Sequence, residues 1–526
     1  MTSRRDLLKG AAAVTATASS IALGHGRASA QAARSQIDGV LRQGVDARDA
    51  AGVVAMAATD KGVLYEGAAG LRALDQTAAM TPDTVFRIAS MTKAITSVAA
   101  MQMVEEGKLK LDVPVPSIDP TLASPQVLEG FDASGEPKLR PARRPITLRH
   151  LLTHTAGFGY EQWDPSINRY VKSAGLPPRT TGKLVTIRMP LVFDPGDRWL
   201  YGISTDWVGR LVEATSGQPL DVYFRDKIFT PLGMNDSGYQ PTADQRTRQA
   251  RLYTRQPDGS LALQPLETVP AAPEFWSGGG PLYSTPRDYL TFLRMLLHGG
   301  SVNGVRLLKP ETVAEMHRNA TGNIPCGVLK TEMPTLSNDV NLFPGATLRW
   351  ALAYMLNVEA GPNGRSAGTV SWGGLFNTYY WLDPARKVTG LIMTQVLPFA
   401  DPRVLKLYGR FESSVYEVLK TGWPCRFRIF YSILPEVAYR GYQFRVADLP
   451  DFVTSAHGDD VLRIGGERST RSTKGGTRQV WHPCPQRLAP GMTSEVSRAC
   501  CNCFPHARKW ITYTEFRDIP PGWAPR

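Results

Sequence analysis

At 526 residues the chain is too long for one ordinary compact domain, and its 42% hydrophobic content is enough for a sizeable core. The net charge of +13 is spread along the chain rather than gathered into one basic helix or stripe, which argues against a nucleic-acid partner. Beyond the N-terminus no run is long and apolar enough to span a membrane.

Ser3-Arg4-Arg5-Asp6-Leu7-Leu8-Lys9 reads as a twin-arginine start. An Ala/Thr/Ser-rich apolar stretch follows, then Ala28-Ser29-Ala30 as a cleavage site. The expectation is a bacterial protein exported to the periplasm or beyond, with no lipid anchor, because no cysteine lies near the cleavage site. Arg34 to Asp49 has Ile37, Val40, Leu41 and Val45 at helical spacing. Val53 to Thr59 and Val63 to Glu66 read as strands joined at Asp60-Lys61-Gly62 as a hairpin.

From Met91 to Val104 nearly every residue is apolar or small, which predicts a buried helix. Ser90 stands at its N-terminus and Lys93 one turn later on the same face. A lysine held in an interior loses hydration, which favours its neutral form, and a neutral amine can take the proton of a neighbouring serine. This Ser-x-x-Lys occurs once in the chain. Its competing reading is a helix-capping serine followed by a solvated lysine.

His150 and His154, four apart on a predicted helix, have zinc-like spacing. They lack the adjacent glutamate and a third ligand, so they read as buried structural histidines. Tyr201-Gly202-Ile203-Ser204 opens a helix through Trp207, Val208, Leu211 and Val212. Trp276 to Thr285 is a glycine-rich turn, read as a tight crossing back into the sheet, and Pro286 to Leu297 is an amphipathic helix. Trp350 to Leu356, Asn377 to Leu382 and Lys387 to Thr394 read as strands, with Asp383-Pro384-Ala385-Arg386 as a turn. Gly364-Arg365-Ser366-Ala367-Gly368 matches an esterase pattern, but a turn precedes it and a strand follows it. The nucleophile elbow needs strand then helix, so Ser366 reads as a loop serine.

After Leu419 the composition shifts. From Pro424 onward lie 5 of the 6 cysteines, with 15 lysines and arginines against 9 acidic residues, and no helix or strand period persists. A small disulfide or metal module around Cys500-Cys501-Asn502-Cys503 is one reading. An extension foreign to the fold, such as out-of-frame translation, is the preferred one.

With Val85 to Ile95, Ile146 to Thr155, Pro195 to Tyr201, Pro231-Leu232-Gly233-Met234 and Ser371-Trp372-Gly373-Gly374 in view, the chain resembles the serine β-lactamase and penicillin-binding protein superfamily. The branch it resembles is class C-like and includes the family VIII carboxylesterases. The likeness runs from about Val53 to Leu419. It implies an α+β fold: an antiparallel sheet flanked by helices, with a second, mainly helical domain. The expected divisions are a signal peptide over 1–30, a discontinuous sheet domain over 31–110 and 286–423, a helical domain over 111–285, and the tail over 424–526. The resemblance assigns Ser90 as nucleophile, with Lys93 and Tyr201 sharing the acid and base roles. It assigns the backbone N–H groups of Ser90 and Leu375 to an oxyanion hole. Trp372, Gly373, Gly374 and Ile203 would line the substrate pocket.

Two departures bear on substrate. Ile203 stands where β-lactamases carry an asparagine, and Trp372 where they carry the lysine that binds a substrate carboxylate. The expectation is a secreted hydrolase of short-chain carboxylic esters, using no metal or cofactor, with a small-molecule ester as its partner and no stable membrane anchor. Its rivals are a β-lactamase or D-alanyl-D-alanine carboxypeptidase of the same fold, and a non-catalytic penicillin- or peptidoglycan-binding protein.

Overall fold

The structure is a computed structural model. It describes residues 34–265 and 270–420, together with the backbone of two short strands, Glu436–Tyr439 and Tyr442–Arg445. The signal-peptide reading and the five cysteines of the tail fall outside the described residues. The two short strands pair antiparallel as a hairpin, so the tail does contain strand that composition and periodicity did not foretell.

A seven-stranded sheet carries the main unit. Its strands are β1 (Gly52–Thr59), β2 (Gly62–Gly70), β3 (Leu348–Trp350), β4 (Met355–Asn357), β5 (Val370–Gly374), β6 (Thr378–Asp383) and β7 (Val388–Met393). They lie in the order β3-β4-β5-β6-β7-β1-β2, every neighbour antiparallel. The chain thus lays down one edge hairpin early and returns after about residue 348 to complete the sheet beside it. Strands β6 and β7 are buried along their whole length. Both faces are covered, so these strands show no apolar–polar alternation and read as continuous β-branched and aromatic runs.

One face carries the helix over residues 34–46, α1, and the last helix, α5 (Pro402–Lys420). Phe411 of α5 meets Tyr65 and Trp381 at ring-centroid distances of 6.0 and 5.7 Å, and the Tyr65 hydroxyl donates to Asp38 on α1 at 2.7 Å. Against the other face lies α4 (Pro286–Leu297), where Tyr289 packs on Tyr380. Adjacent residues of β6, Tyr380 and Trp381, therefore serve opposite layers, as a period of two requires. Two further helices, α2 (Thr92–Glu105) and α3 (Ser204–Ser216), hold the candidate site. Helix α2 is buried nearly all round, as its apolar sequence predicted.

Three readings need correction. The single strand expected over 350–356 is two short strands, β3 and β4, turned by an Ala351 N–H to Tyr354 carbonyl bond of 2.8 Å. That turn contains no glycine or proline, so nothing in the composition marked it. The middle region also contains a hairpin, Gln126–Phe131 with Pro137–Pro141, that the helical reading omitted. The helix bearing His150 ends at Leu152, and His154 lies beyond it with φ of 56°.

Candidate active site

The approach to Ser90 is a short 3-10 turn, Ala89–Met91, that runs directly into α2. Ala89 has φ of 43°, a left-handed backbone that costs a residue with a Cβ of the order of 1 kcal/mol. Hydrogen bonds on either side hold it there. The Ile88 N–H donates to the Leu282 carbonyl at 2.9 Å, and the Tyr289 hydroxyl donates to the Met91 carbonyl at 2.9 Å. Gly374, at the end of β5, packs so tightly on the Ile88 carbonyl that a Cβ there would overlap its oxygen. Glycine at 374 is thus what lets β5 close against the serine turn. Ser90 itself remains partly open to solvent.

One turn into the helix, Lys93 is 2% exposed. Its Nζ donates to Ser90 Oγ at 3.3 Å, to Tyr160 Oη at 3.1 Å and to the Gly279 carbonyl at 2.9 Å. Three acceptors match the three hydrogens of an ammonium. On losing one proton the amine turns a lone pair toward one of the two hydroxyls, Ser90 or Tyr160, since the Gly279 carbonyl has no proton to give; burial holds the Tyr160 phenol well above its usual range. Burial pushes the lysine down to about 7, with Asp206 opposing that shift and Arg179 adding to it.

Tyr201 is 1% exposed, just ahead of α3. A hydrogen bond joins its hydroxyl to Ser90, and the Trp372 indole N–H donates to the same oxygen at 3.0 Å. Lys93 Nζ lies 4.8 Å from the centre of the tyrosine ring. Burial pushes the Tyr201 phenol above its usual range against both hydrogen bonds, so it stays protonated. The sequence reading placed Trp372 in the pocket lining, where β-lactamases carry a lysine, and gave it no polar contact. Its N–H in fact orients the phenol, and only 2% of the residue is exposed. Ile203 has no exposed surface, and Leu375 sits half-buried in the turn after β5.

The structure brings Ser90, Lys93, Tyr201 and Trp372 together, and adds residues that sequence reasoning missed. Tyr160 reaches Lys93 from a loop that no motif marked. The stretch from Ser277 to Gly280, read as a mere crossing, forms a wall of the site. The Asp206 carboxylate on α3 accepts from the Ser277 hydroxyl and from the Gly279 N–H at 3.0 Å. Its sequence signal was slight: a carboxylate after Ser204 and Thr205 in the first turn of a helix, where acidic residues are common for the helix dipole alone. His154 packs against Tyr201 with ring centroids 4.6 Å apart and the rings tilted by 50°, and burial holds it well below the usual histidine range. His150 caps its own helix through Thr147. Both act as packing and capping groups. Among the described residues no three His, Cys, Asp or Glu side chains converge as metal ligands would. Ser366 lies in the loop between β4 and β5, where its N–H donates to Asp383 at 3.0 Å.

The Beta-lactamase family pattern matches residues 37–413, most of the described chain. The chain belongs to the Beta-lactamase family. Among its relatives is monacolin J acid methylbutanoyltransferase from Aspergillus terreus, 32% identical over 407 residues, spanning 72% of this chain and 95% of that protein. Lovastatin esterase from Penicillium rubens is 32% identical over 345 residues, covering 64% and 85%. Protein Rv1367c of Mycobacterium tuberculosis is 33% identical over 375 residues, covering 68% and 89%. Of solved structures, unliganded simvastatin synthase (LovD) from Aspergillus terreus matches at 30% identity and a TM-score of 0.64, covering 74% of this chain and 99% of that one. The hydrolase EstCE1 matches at a TM-score of 0.58 and 22% identity, a likeness of fold. The β-lactamase-like α+β fold expected from the sequence is therefore the fold observed.

Proposed function

We propose that this member of the Beta-lactamase family cleaves carboxylic esters through a covalent acyl-Ser90. The carrying observation is the buried Lys93, whose amine lies 3.3 Å from Ser90 Oγ and whose pKa is held near 7. Ser90 Oγ attacks the ester carbonyl while its proton passes to neutral Lys93. Tyr201, protonated and oriented by Trp372, gives a proton to the leaving alcohol oxygen and is refilled from Lys93. The N–H groups of Ser90 and Leu375 hold the developing oxyanion. Water, activated by the same pair, then releases the acid and regenerates Ser90. The twin-arginine start supports export to the periplasm or beyond as part of this reading.

Ester specificity rests on the two departures at Ile203 and Trp372. Each removes a polar contact that a β-lactam would use, and a hydrogen bond to a charged group is worth about 1.5–3 kcal/mol. A neutral short-chain ester loses nothing. The test is kcat/KM for p-nitrophenyl acetate, butyrate and octanoate beside a chromogenic cephalosporin, on one preparation. Acetate and butyrate should exceed the cephalosporin by roughly two powers of ten or more. A cephalosporin value equal to or above acetate overturns the esterase reading.

The relatives favour one second reading, transfer of the acyl group to an alcohol instead of water. A small primary alcohol added to the same assay partitions the acyl-enzyme. A new ester forming faster than free acid would make the chain a transferase.

A further inference from the structure

Gly279 marks the meeting point of three polar groups. A Cβ built on it would lie 2.9 Å from Tyr160 Oη, 3.1 Å from Lys93 Nζ and 3.2 Å from Asp206 Oδ1. Only a glycine leaves these atoms facing one another across so small a space. The peptide units here are pinned at several points. The Gly279 carbonyl accepts from Lys93 at 2.9 Å, while the Gly279 N–H and the Ser277 hydroxyl both donate to one oxygen of Asp206. Next door, Thr96 of α2 donates to the Gly278 carbonyl at 2.6 Å.

Asp206 is 3% exposed in the first turn of α3, where the helix dipole favours a carboxylate. No ion pair holds it among the described salt bridges. Its donors are a hydroxyl and a backbone N–H, so no guanidinium cancels its charge, which acts on Lys93. Several other titratable or charged groups face Lys93. His154 and Tyr160 come from the segment ahead of α3, with Glu161 paired to Arg179 behind Tyr160. Arg179 stacks at 4.2 Å from the Tyr160 ring centre, and Tyr201 and Ser90 complete the set. In that inner ring Asp206 is the carboxylate without a cationic partner.

We propose that Asp206 is a positioning residue for the acyl-transfer chemistry. It clamps the Ser277–Gly279 segment so that the Gly279 carbonyl aims the Lys93 amine at Ser90, and its charge keeps that amine able to accept the serine proton near neutral pH. The inference rests on the reading of Lys93 as the base. Desolvation alone would drive the lysine toward a weakly basic amine, and the Asp206 carboxylate on the other side of Gly279 opposes that.

The experiment is the pH profile of kcat/KM for p-nitrophenyl butyrate with wild type, Asp206→Asn, Ser277→Ala and Lys93→Ala. A base must be neutral to act, so wild-type activity should rise as pH climbs through about 7. Asp206→Asn keeps an acceptor oxygen but removes the charge. Its acid limb should move to lower pH by about one unit or more, and its plateau should fall by roughly tenfold or less. Ser277→Ala keeps the charge but loosens the clamp, so its kcat should fall about five- to tenfold with little change in KM. An Asp206→Asn limb that stays in place, whatever its melting temperature, overturns the electrostatic role. Should Asp206→Asn not fold, a Ser277→Ala enzyme with wild-type kcat overturns the clamp. A limb that persists in Lys93→Ala sinks the base assignment itself, a separate failure from an unmoved limb in Asp206→Asn.

Discussion

At the scale of residues, two serines carry recognisable motifs and only one has the surroundings for chemistry. Ser90 stands at the start of a buried helix, 3.3 Å from a desolvated amine. Ser366 lies in a turn whose glycines serve its left-handed backbone. Gly364 has φ of 100° and sits against the Tyr416 ring, and Gly368 has φ of 84°. The carboxylate beside it, Asp383, is taken up by the Ser366 backbone N–H at 3.0 Å and the Tyr416 hydroxyl at 2.9 Å. Ser90→Ala should therefore abolish ester hydrolysis, while Ser366→Ala stays within a few-fold of wild type. Intact-mass analysis after a phosphonate inhibitor should place the adduct on Ser90, and an adduct on Ser366 would reverse the assignment.

At the scale of elements, the residue between the decoy glycine and serine is the informative one. Arg365 and Glu412 form an ion pair at 2.6 Å with neither side chain exposed. Arg365 also donates to Ser371 Oγ at 2.9 Å on β5 and to the Tyr408 hydroxyl at 2.6 Å on α5. The pair thus ties the last helix to the strand that ends at Gly374, against the serine turn. A buried pair contributes little net stability compared with apolar groups of like volume, but removing one member strands a charge. Glu412→Ala should cost about 3–5 kcal/mol in urea unfolding, whereas Arg365→Met with Glu412→Leu should recover much of it. A double variant no more stable than Glu412→Ala would show that the pair's geometry is itself needed to dock α5.

At the scale of the whole molecule, α5 closes the described core. Val404, Leu407, Phe411 and Val415 of this helix are fully buried. Backbone contacts divide the chain at Ile429, after this helix. A chain ending near Thr421 should fold and hydrolyse esters as the full chain does. Melting temperature and kcat/KM on p-nitrophenyl butyrate, measured on both lengths, check this. A large fall in either would place the tail within the fold.

The parts of the site legible in sequence were those whose environment is local. The nearly continuous run of apolar and small residues after Ser90 said that its helix is buried, and burial is what turns Lys93 into a base. Tyr201 was legible because resemblance carried it, and the edge hairpin because a short glycine turn marked it. Tyr160 and Gly279 were not, since they reach Lys93 across 67 and 186 residues of chain and carry no periodic signal. The same holds for Trp372, whose N–H meets Tyr201 across 171 residues. Residue type specifies what a group can donate or accept. Only the packing of α2, α3, β5 and the loops between them settles which partner stands within hydrogen-bonding reach of it, because hydrogen bonds weaken steeply with distance and angle.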